Sequence, residues 1–288
     1  MRINIFKKII KLITSIVTLI RLKDWLKNII IFLPLIFSGN LRYENFYLDL
    51  FITFILFSLT ASFIYIINDI VDINEDKKHN LKIFKKPLAS GKITKSFAKI
   101  LLFLILFILI GAFFKYKSIY PYLILYALLN ISYSLYFKKI PIIDVILISI
   151  GYLIRLDVGS LVINVNTSIY LAGTIFFLAS FIIFIKRVVE YKNYSNIKRF
   201  KLFYNEFNLS ILIFISAVLF FLTLIIFVLT VDIKLLILVP LLILIFYRYY
   251  RSAISYKLGE FPLDLVIKDK IILFTSSLVM IYTMYVYY

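Results

Sequence analysis

The sequence predicts an all-α, polytopic membrane protein, and three observations carry that reading. The chain has 288 residues, 63% of them hydrophobic, with a mean hydropathy of +1.00, well beyond the range of a soluble domain. Apolar runs close to the length of a membrane-crossing helix recur from one end of the chain to the other. The cations are confined almost entirely to alternate connecting segments, the signature of loops sorted by the positive-inside rule.

Taken in order, the first 28 residues interleave apolar positions with Lys7, Lys8, Lys11, Arg21, Lys23 and Lys27, which reads as an amphipathic helix on the membrane surface. No cleavable signal is expected there. Nine spans follow, roughly at residues 29–41, 46–68, 97–114, 119–137, 141–163, 167–185, 208–230, 234–250 and 270–287. The first is short and carries Pro34, so a tilted or kinked crossing is expected. No fixed repeat or Pro/Gly-rich linker divides the chain, and residues 1–288 read as one helical domain.

Of the 33 Lys and Arg, all but Arg42, Lys115, Lys117, Lys234 and Arg155 fall in the N-terminal segment and in every second loop. This places those segments in the cytoplasm, with the N-terminus inside and the C-terminus outside a plasma (inner) membrane. A net charge of +18 is thereby explained by loops at the bilayer, and no nucleic-acid partner is expected.

The most informative stretch is NDIVDINED, which sets Asn68, Asp69, Asp72 and Asp76 at the inner end of the second span. At about 100° per residue the three aspartates occupy an arc of roughly 60° on a continuous helix. Converging carboxylates repel unless a cation lies between them, and hard oxygen donors suit Mg²⁺. A solvated helix end is the blander alternative. The basic loop KKHNLKIFKKPLASGK follows directly. Carboxylates holding a metal, with lysines neutralising the remaining charge, suit a bound diphosphate. Lys82, Lys85 and Lys86 are equally suited to contacting anionic lipid headgroups.

Arg155 lies inside the apolar run DVILISIGYLIRLDVG, where an unpaired guanidinium costs several kcal/mol, so it is expected to face the bundle interior. Asp144, the aspartate cluster or a bound phosphate could answer it. Asp157, two residues away, faces elsewhere. In KRVVEYK, Lys186 and Glu190 stand in helical i, i+4 relation next to Arg187. In the last basic loop, Asp264 reads as a cap for the final span. The chain has no cysteine and a single histidine, His79, which excludes disulfides, thiolate chemistry and histidine-rich metal sites. No Walker loop or GxGxxG motif is present.

Taken together, these motifs resemble the UbiA superfamily of membrane transferases. NDxxDxxxD at the end of the second helix resembles the family's aspartate motif. RLKDWLKN, with Pro34 beyond it, is similar to the RxxxWxKN opening of its polyprenyl-phosphate (decaprenyl-phosphate) phosphoribosyltransferase branch. His79, Lys82, Pro87 and Gly91, the arginine of DVILISIGYLIR, KRVVE and PLDLVIKDK extend the likeness to about residue 272. Lys86 stands where the branch usually has Arg, and Asn80 where Pro usually follows the histidine. Family members with aromatic acceptors carry a second DxxxD motif; here Lys186 and Arg187 accompany the single acid Glu190.

The resemblance implies a UbiA-like bundle that transfers 5-phosphoribose from 5-phosphoribosyl 1-diphosphate to a polyprenyl phosphate, with Mg²⁺ and release of diphosphate, facing the cytoplasm. It assigns Asp69, Asp72 and Asp76 to the metal and Asn68 to orienting them or touching phosphate. Lys27, Asn28, Lys82, Lys86, Arg155, Lys186, Arg187 and Glu190 are assigned to the substrates. The rival readings are a prenyltransferase acting on prenyl diphosphate and an aromatic acceptor, and an anion or lipid transporter. No inverted repeat of the transporter kind is visible.

Overall fold

The computed structural model describes residues 2–77, 86–193, 204–255 and 262–287; His79 and Lys82 lie outside them. Among the described residues there are eight helices long and apolar enough to cross a membrane, and no strand. The helices are α1 (Arg2–Leu19), α2 (Leu33–Phe37), α3 (Asn45–Val71), α4 (Ile73–Lys77), α5 (Lys95–Phe113) and α6 (Tyr120–Leu135). They continue with α7 (Ile143–Val162), α8 (Ile169–Asn193), α9 (Glu206–Val231), α10 (Val239–Ser255), α11 (Pro262–Lys268) and α12 (Lys270–Tyr287). All-helical structure is what a bilayer imposes, since each backbone N–H and C=O must find its partner within the segment.

The eight spans correspond to the predicted second to ninth. The predicted first span is built differently. Leu22–Phe32 winds as a 3-10 helix, α2 adds five residues with Pro34 in its first turn, and Asn40–Arg42 forms a further 3-10 turn. Proline is well placed there, because its missing N–H is one the helix start leaves unpaired.

Helix ends follow local chemistry. Thr94 caps α5 by accepting from the Phe97 N–H, and Asn205 caps α9 by accepting from Asn208. Asp269, rather than Asp264, caps the final span: its carboxylate accepts from the Ile271 and Ile272 N–H groups. Asp264 sits instead in the first turn of α11. Within the spans, Thr60, Thr174, Thr223 and Thr283 each return their hydroxyl to the carbonyl four residues back. Apolar surroundings leave a hydroxyl few other partners.

The chain divides into two compact units, one of Met1–Ile29 with Leu48–Ser134 and the other of Ile30–Tyr47 with Leu135–Tyr288. In the first, Leu19, Ile66, Leu88, Ile93, Ala98 and Ile105 form the core that joins α1, α3 and α5. More than half of the most apolar window of α3 is buried, against about a tenth for α5. The exposed Phe103 and Phe107 of α5 accordingly belong to the lipid-facing surface. In the second unit, Phe181, Phe220 and Phe246 stack with centroids 4.3 and 4.5 Å apart, tying α8, α9 and α10 together. Ser149 and Ser180 share a buried hydrogen bond of 3.0 Å between α7 and α8.

Gly159 of α7 lies directly against the backbone of Ile31. A Cβ there would stand 2.1 Å from the Ile31 carbonyl oxygen, so backbone meets backbone and no side chain fits. Gly159→Ala is expected to destabilise the chain by about 1–3 kcal/mol, the usual cost of overpacking, read as a lower midpoint of thermal unfolding in detergent. An unchanged or raised midpoint would show that the contact yields.

Asp269 supplies a pH prediction. Burial pushes its carboxyl up, but hydrogen bonds from Ser252, the Ile272 N–H and Arg248 outweigh this and hold it below the usual 3.8. A depressed folded-state value contributes stability above pH 3.8, lost as pH falls through the folded value. The unsubstituted chain should therefore lose stability more steeply on acidification below about pH 4 than Asp269→Asn does. Parallel curves from pH 6 to pH 3 would refute this role.

Candidate active site

The helix carrying the aspartates does not run on unbroken. α3 ends at Val71, Asp72 is a turn and α4 resumes at Ile73, although the Asp72 and Asp76 N–H groups still reach the carbonyls four residues back at 2.9 Å. Asp69 and Asp76 are buried and Asp72 is half-buried. Lys86 brings the two buried acids together: its Nζ lies 2.9 Å from Asp69 Oδ1 and 2.5 Å from Asp76 Oδ2. Asp72 stands outside this pair and makes no side-chain hydrogen bond or ion pair among the described residues.

Arg21 completes the cluster, and the sequence reading did not assign it a role. Its guanidinium donates to Asp69 at 3.0 Å and lies 4.4 Å from the Tyr65 ring centroid. The residue holds a left-handed φ of 54°, uncommon for a side chain of this size. Burial works against the charge of Lys86, and hydrogen bonds and attraction from Asp76 and Asp69 more than offset it, leaving its pKa raised. The RLKDWLKN segment is pinned against α3 beside these groups. Trp25 Nε1 donates to Ser62, and Ser62 to the Ile20 carbonyl, at 2.9 and 2.7 Å. Asn28, expected at the substrates, is buried and donates to Ser58 at 2.8 Å. Lys27 pairs with Asp24 at 2.6 Å, and Asn68 donates to Ser134 at 3.2 Å.

No group of three metal-ligating side chains occurs among the described residues. The Asp69 and Asp76 oxygens nonetheless both reach one nitrogen, so a cation already bridges them. One or two carboxylates, with substrate phosphates completing the shell, is the donor set Mg²⁺ ordinarily uses. The residues present fit that ion.

The second unit holds its own polar cluster. Asp144, fully buried at the start of α7, accepts from Arg187 Nε at 2.8 Å and from the Tyr204 hydroxyl at 2.7 Å. Arg187 also donates to Glu190 at 2.5 Å, while Lys186 lies 3.8 Å from Glu190. The predicted i, i+4 pair is thus present, and the i, i+3 pair is the tighter one. Tyr204 in turn accepts the Ile142 N–H at 2.8 Å, holding Ile142 at φ 67°, a strained setting for a β-branched residue. Burial first, and then the Asp144 charge, push the Tyr204 hydroxyl above its ordinary pKa, keeping it a donor. Arg155 is buried; its Nη1 donates to the Gly151 carbonyl at 2.5 Å and its guanidinium lies 5.2 Å from the Tyr152 ring centroid. Tyr204 carries no sequence signal: it meets Asp144 across 60 residues of chain.

Breaking a buried pair leaves its partner uncompensated. Asp144→Asn is expected to cost about 3–5 kcal/mol, and Tyr204→Phe about 1–3 kcal/mol. Unfolding midpoints in detergent should fall in that order; a Tyr204→Phe chain as stable as the parent would remove the hydroxyl from the network.

Comparison with known proteins places the chain in a family. The sequence profile of the UbiA prenyltransferase family matches residues 31–260. Decaprenyl-phosphate phosphoribosyltransferase of Mycobacterium tuberculosis is 27% identical over 186 residues, 62% of this chain and 61% of the relative. The enzyme of that name from Corynebacterium glutamicum is 27% identical over 52% of this chain and 46% of its own length. The chain thus spans about three fifths or less of these curated relatives. A UbiA homolog from Archaeoglobus fulgidus superposes with a TM-score of 0.66 at 18% identity, covering 94% of this chain and 97% of that one. The same homolog bound to GPP and Mg²⁺ gives 0.61 at 19% identity, covering 95% and 99%. At such identities the likeness concerns the fold.

Proposed function

The chain belongs to the UbiA prenyltransferase family, and we propose that it transfers 5-phosphoribose from 5-phosphoribosyl 1-diphosphate to a polyprenyl phosphate in the membrane. The observation that carries the transfer chemistry is the Asp69–Lys86–Asp76 bridge with Arg21 beside it. It gathers a hard-ion donor set and two cations suited to phosphate within one cluster. The choice of donor is supported by Lys186 and Arg187, standing where a second acidic motif is usual, and by the names of the relatives.

In this reading Asp69, Asp72 and Asp76 would hold Mg²⁺, with Asn68 orienting them or touching phosphate. When bound, the ion neutralises charge developing on the departing diphosphate. Lys86 and Arg21 turn from the carboxylates to phosphate oxygens. In the second unit, Arg155 and Lys186 bind substrate phosphate, and Glu190 fixes Arg187. Lys27 and Lys82 add positive charge in the N-terminal segment and the basic loop. An oxygen of the lipid phosphate attacks C1 of the ribose, and the C1–O bond to diphosphate breaks with its electron pair leaving on diphosphate. The attacking phosphate is already ionised, so no strong general base is required. The charge distribution supports a site facing the cytoplasm, with the N-terminus inside and the C-terminus outside.

Prenyl transfer is the rival reading, favoured by the GPP and Mg²⁺ named for the solved neighbour. Purified protein with Mg²⁺ should form a lipid-linked phosphoribose from phosphoribosyl diphosphate and polyprenyl phosphate, and no product from prenyl diphosphate and an aromatic acceptor. The opposite outcome establishes the rival. Asp69→Asn and Asp72→Asn should each abolish Mg²⁺-dependent turnover. Asp69→Asn and Asp76→Asn should also lose the rise in unfolding midpoint that Mg²⁺ with diphosphate gives the parent. Full turnover in the Asp69 variant would defeat the metal assignment.

A further inference from the structure

A cavity of about 410 Å³ opens where α10 ends and α12 begins, bordered by Arg248, Ser252, Leu265, Lys268, Lys270 and Ile271 together with Asp269. All of these lie in the second unit, and none is among the residues proposed for transfer. The acid is fully committed. One carboxylate oxygen of Asp269 accepts from Arg248 Nε at 2.9 Å and Ser252 Oγ at 2.7 Å; the other accepts from the Ile271 and Ile272 N–H groups. Lys268 and Lys270 are exposed and form no ion pair among the described residues. The cavity therefore presents two uncompensated ammonium groups.

Its depth is set by the chain. One span ends at Ser255 and the next begins at Lys270, so the cavity lies where apolar sequence gives way to polar, the level of phospholipid headgroups. Directly beside the lysines, Ile267, Ile271 and Phe274 are exposed at 47%, 45% and 66%. Ile271 and Phe274, three apart on α12, share a face. A soluble phosphate makes no use of such a face; an acyl chain does.

We propose that this cavity binds the phosphate headgroup of an anionic membrane lipid, with Lys268 and Lys270 answering the phosphate and the Ile271–Phe274 face receiving the first part of the acyl chain. Phosphate is the ligand chemistry, and the apolar face selects the lipid over a free anion as its source. Arg248 and Ser252 act through Asp269, holding its carboxylate so that it does not pair with the lysines.

The test is binding of dioleoyl phosphatidylglycerol to the full chain in an uncharged detergent, followed by native mass spectrometry. The parent is expected to retain phosphatidylglycerol over phosphatidylcholine of the same chain length. Each lysine near the headgroup level contributes about a fivefold factor, so Lys268→Gln/Lys270→Gln should bind phosphatidylglycerol about thirtyfold more weakly. Lys268→Arg/Lys270→Arg should keep most of the affinity. Lys115→Gln/Lys117→Gln, which removes the same charge from another loop, should leave it unchanged. Both substituted lysines are exposed, and an unaltered unfolding midpoint without lipid confirms intact folding. Parent-like affinity in the Gln pair, or an equal loss in the Lys115/Lys117 control, overturns the proposal. If inorganic phosphate alone reproduces the lipid's stabilisation of the parent, the lipid source is refuted.

Discussion

A carboxylate at membrane depth has to be answered by a cation or by several hydrogen bonds, and the polar architecture of this chain follows from how each acid is answered. Asp144 is held by Arg187 and Tyr204, Asp69 by Lys86 and Arg21, and Asp76 by Lys86. Asp269 takes Arg248, Ser252 and two backbone N–H groups. These bonds join segments distant in sequence, because the nearest cation along a span rarely faces the right way. The turn at Lys86, the strand of chain at Tyr204 and the N-terminal motif at Arg21 are each drawn onto a helix by an acid.

The same pairing separates two kinds of cluster. At Asp144 the partners are nearly fully buried, and the network also restrains Ile142 in a strained backbone setting, which marks it as a rigid fixture. At Asp69, Arg21 and Lys86 keep about a third and a fifth of their side-chain surface exposed. Their ends can exchange one anionic partner for another at modest cost, while a fully buried pair cannot. That difference fits the proposed exchange of Arg21 and Lys86 onto phosphate, while the Asp144–Arg187 pair ties α7 to α8.

Much of this was legible in the residues. Eight spans were visible as apolar runs, and the aspartate motif stood out because acids are costly there. What was not legible depended on contacts that periodicity does not encode. The 3-10 winding of Leu22–Phe32 has the same hydropathy as an α-helix would. That Lys86 bridges Asp69 and Asp76 without Asp72 could not be read from the spacing, which places all three on one arc. Asp269 takes the capping role expected of Asp264, because Asp264 is drawn into the separate short helix α11 and Asp269 directly precedes the start of α12. The hydrogen bond of Asn28 to Ser58, across 30 residues, is likewise a contact that its motif does not announce.

The close approach at Gly159 has a mechanical meaning. Because the Ile31 carbonyl rests directly on the α7 backbone, no compressible side chain lies between them, and the second unit's broken segment and α7 must shift as one body. Arg155 lies one turn before Gly159 on the same face. Movement of Pro34 and its neighbours is thus carried without slack to the buried Arg155 guanidinium, and the segment that looked like an imperfect crossing becomes the lever that sets where that charge sits.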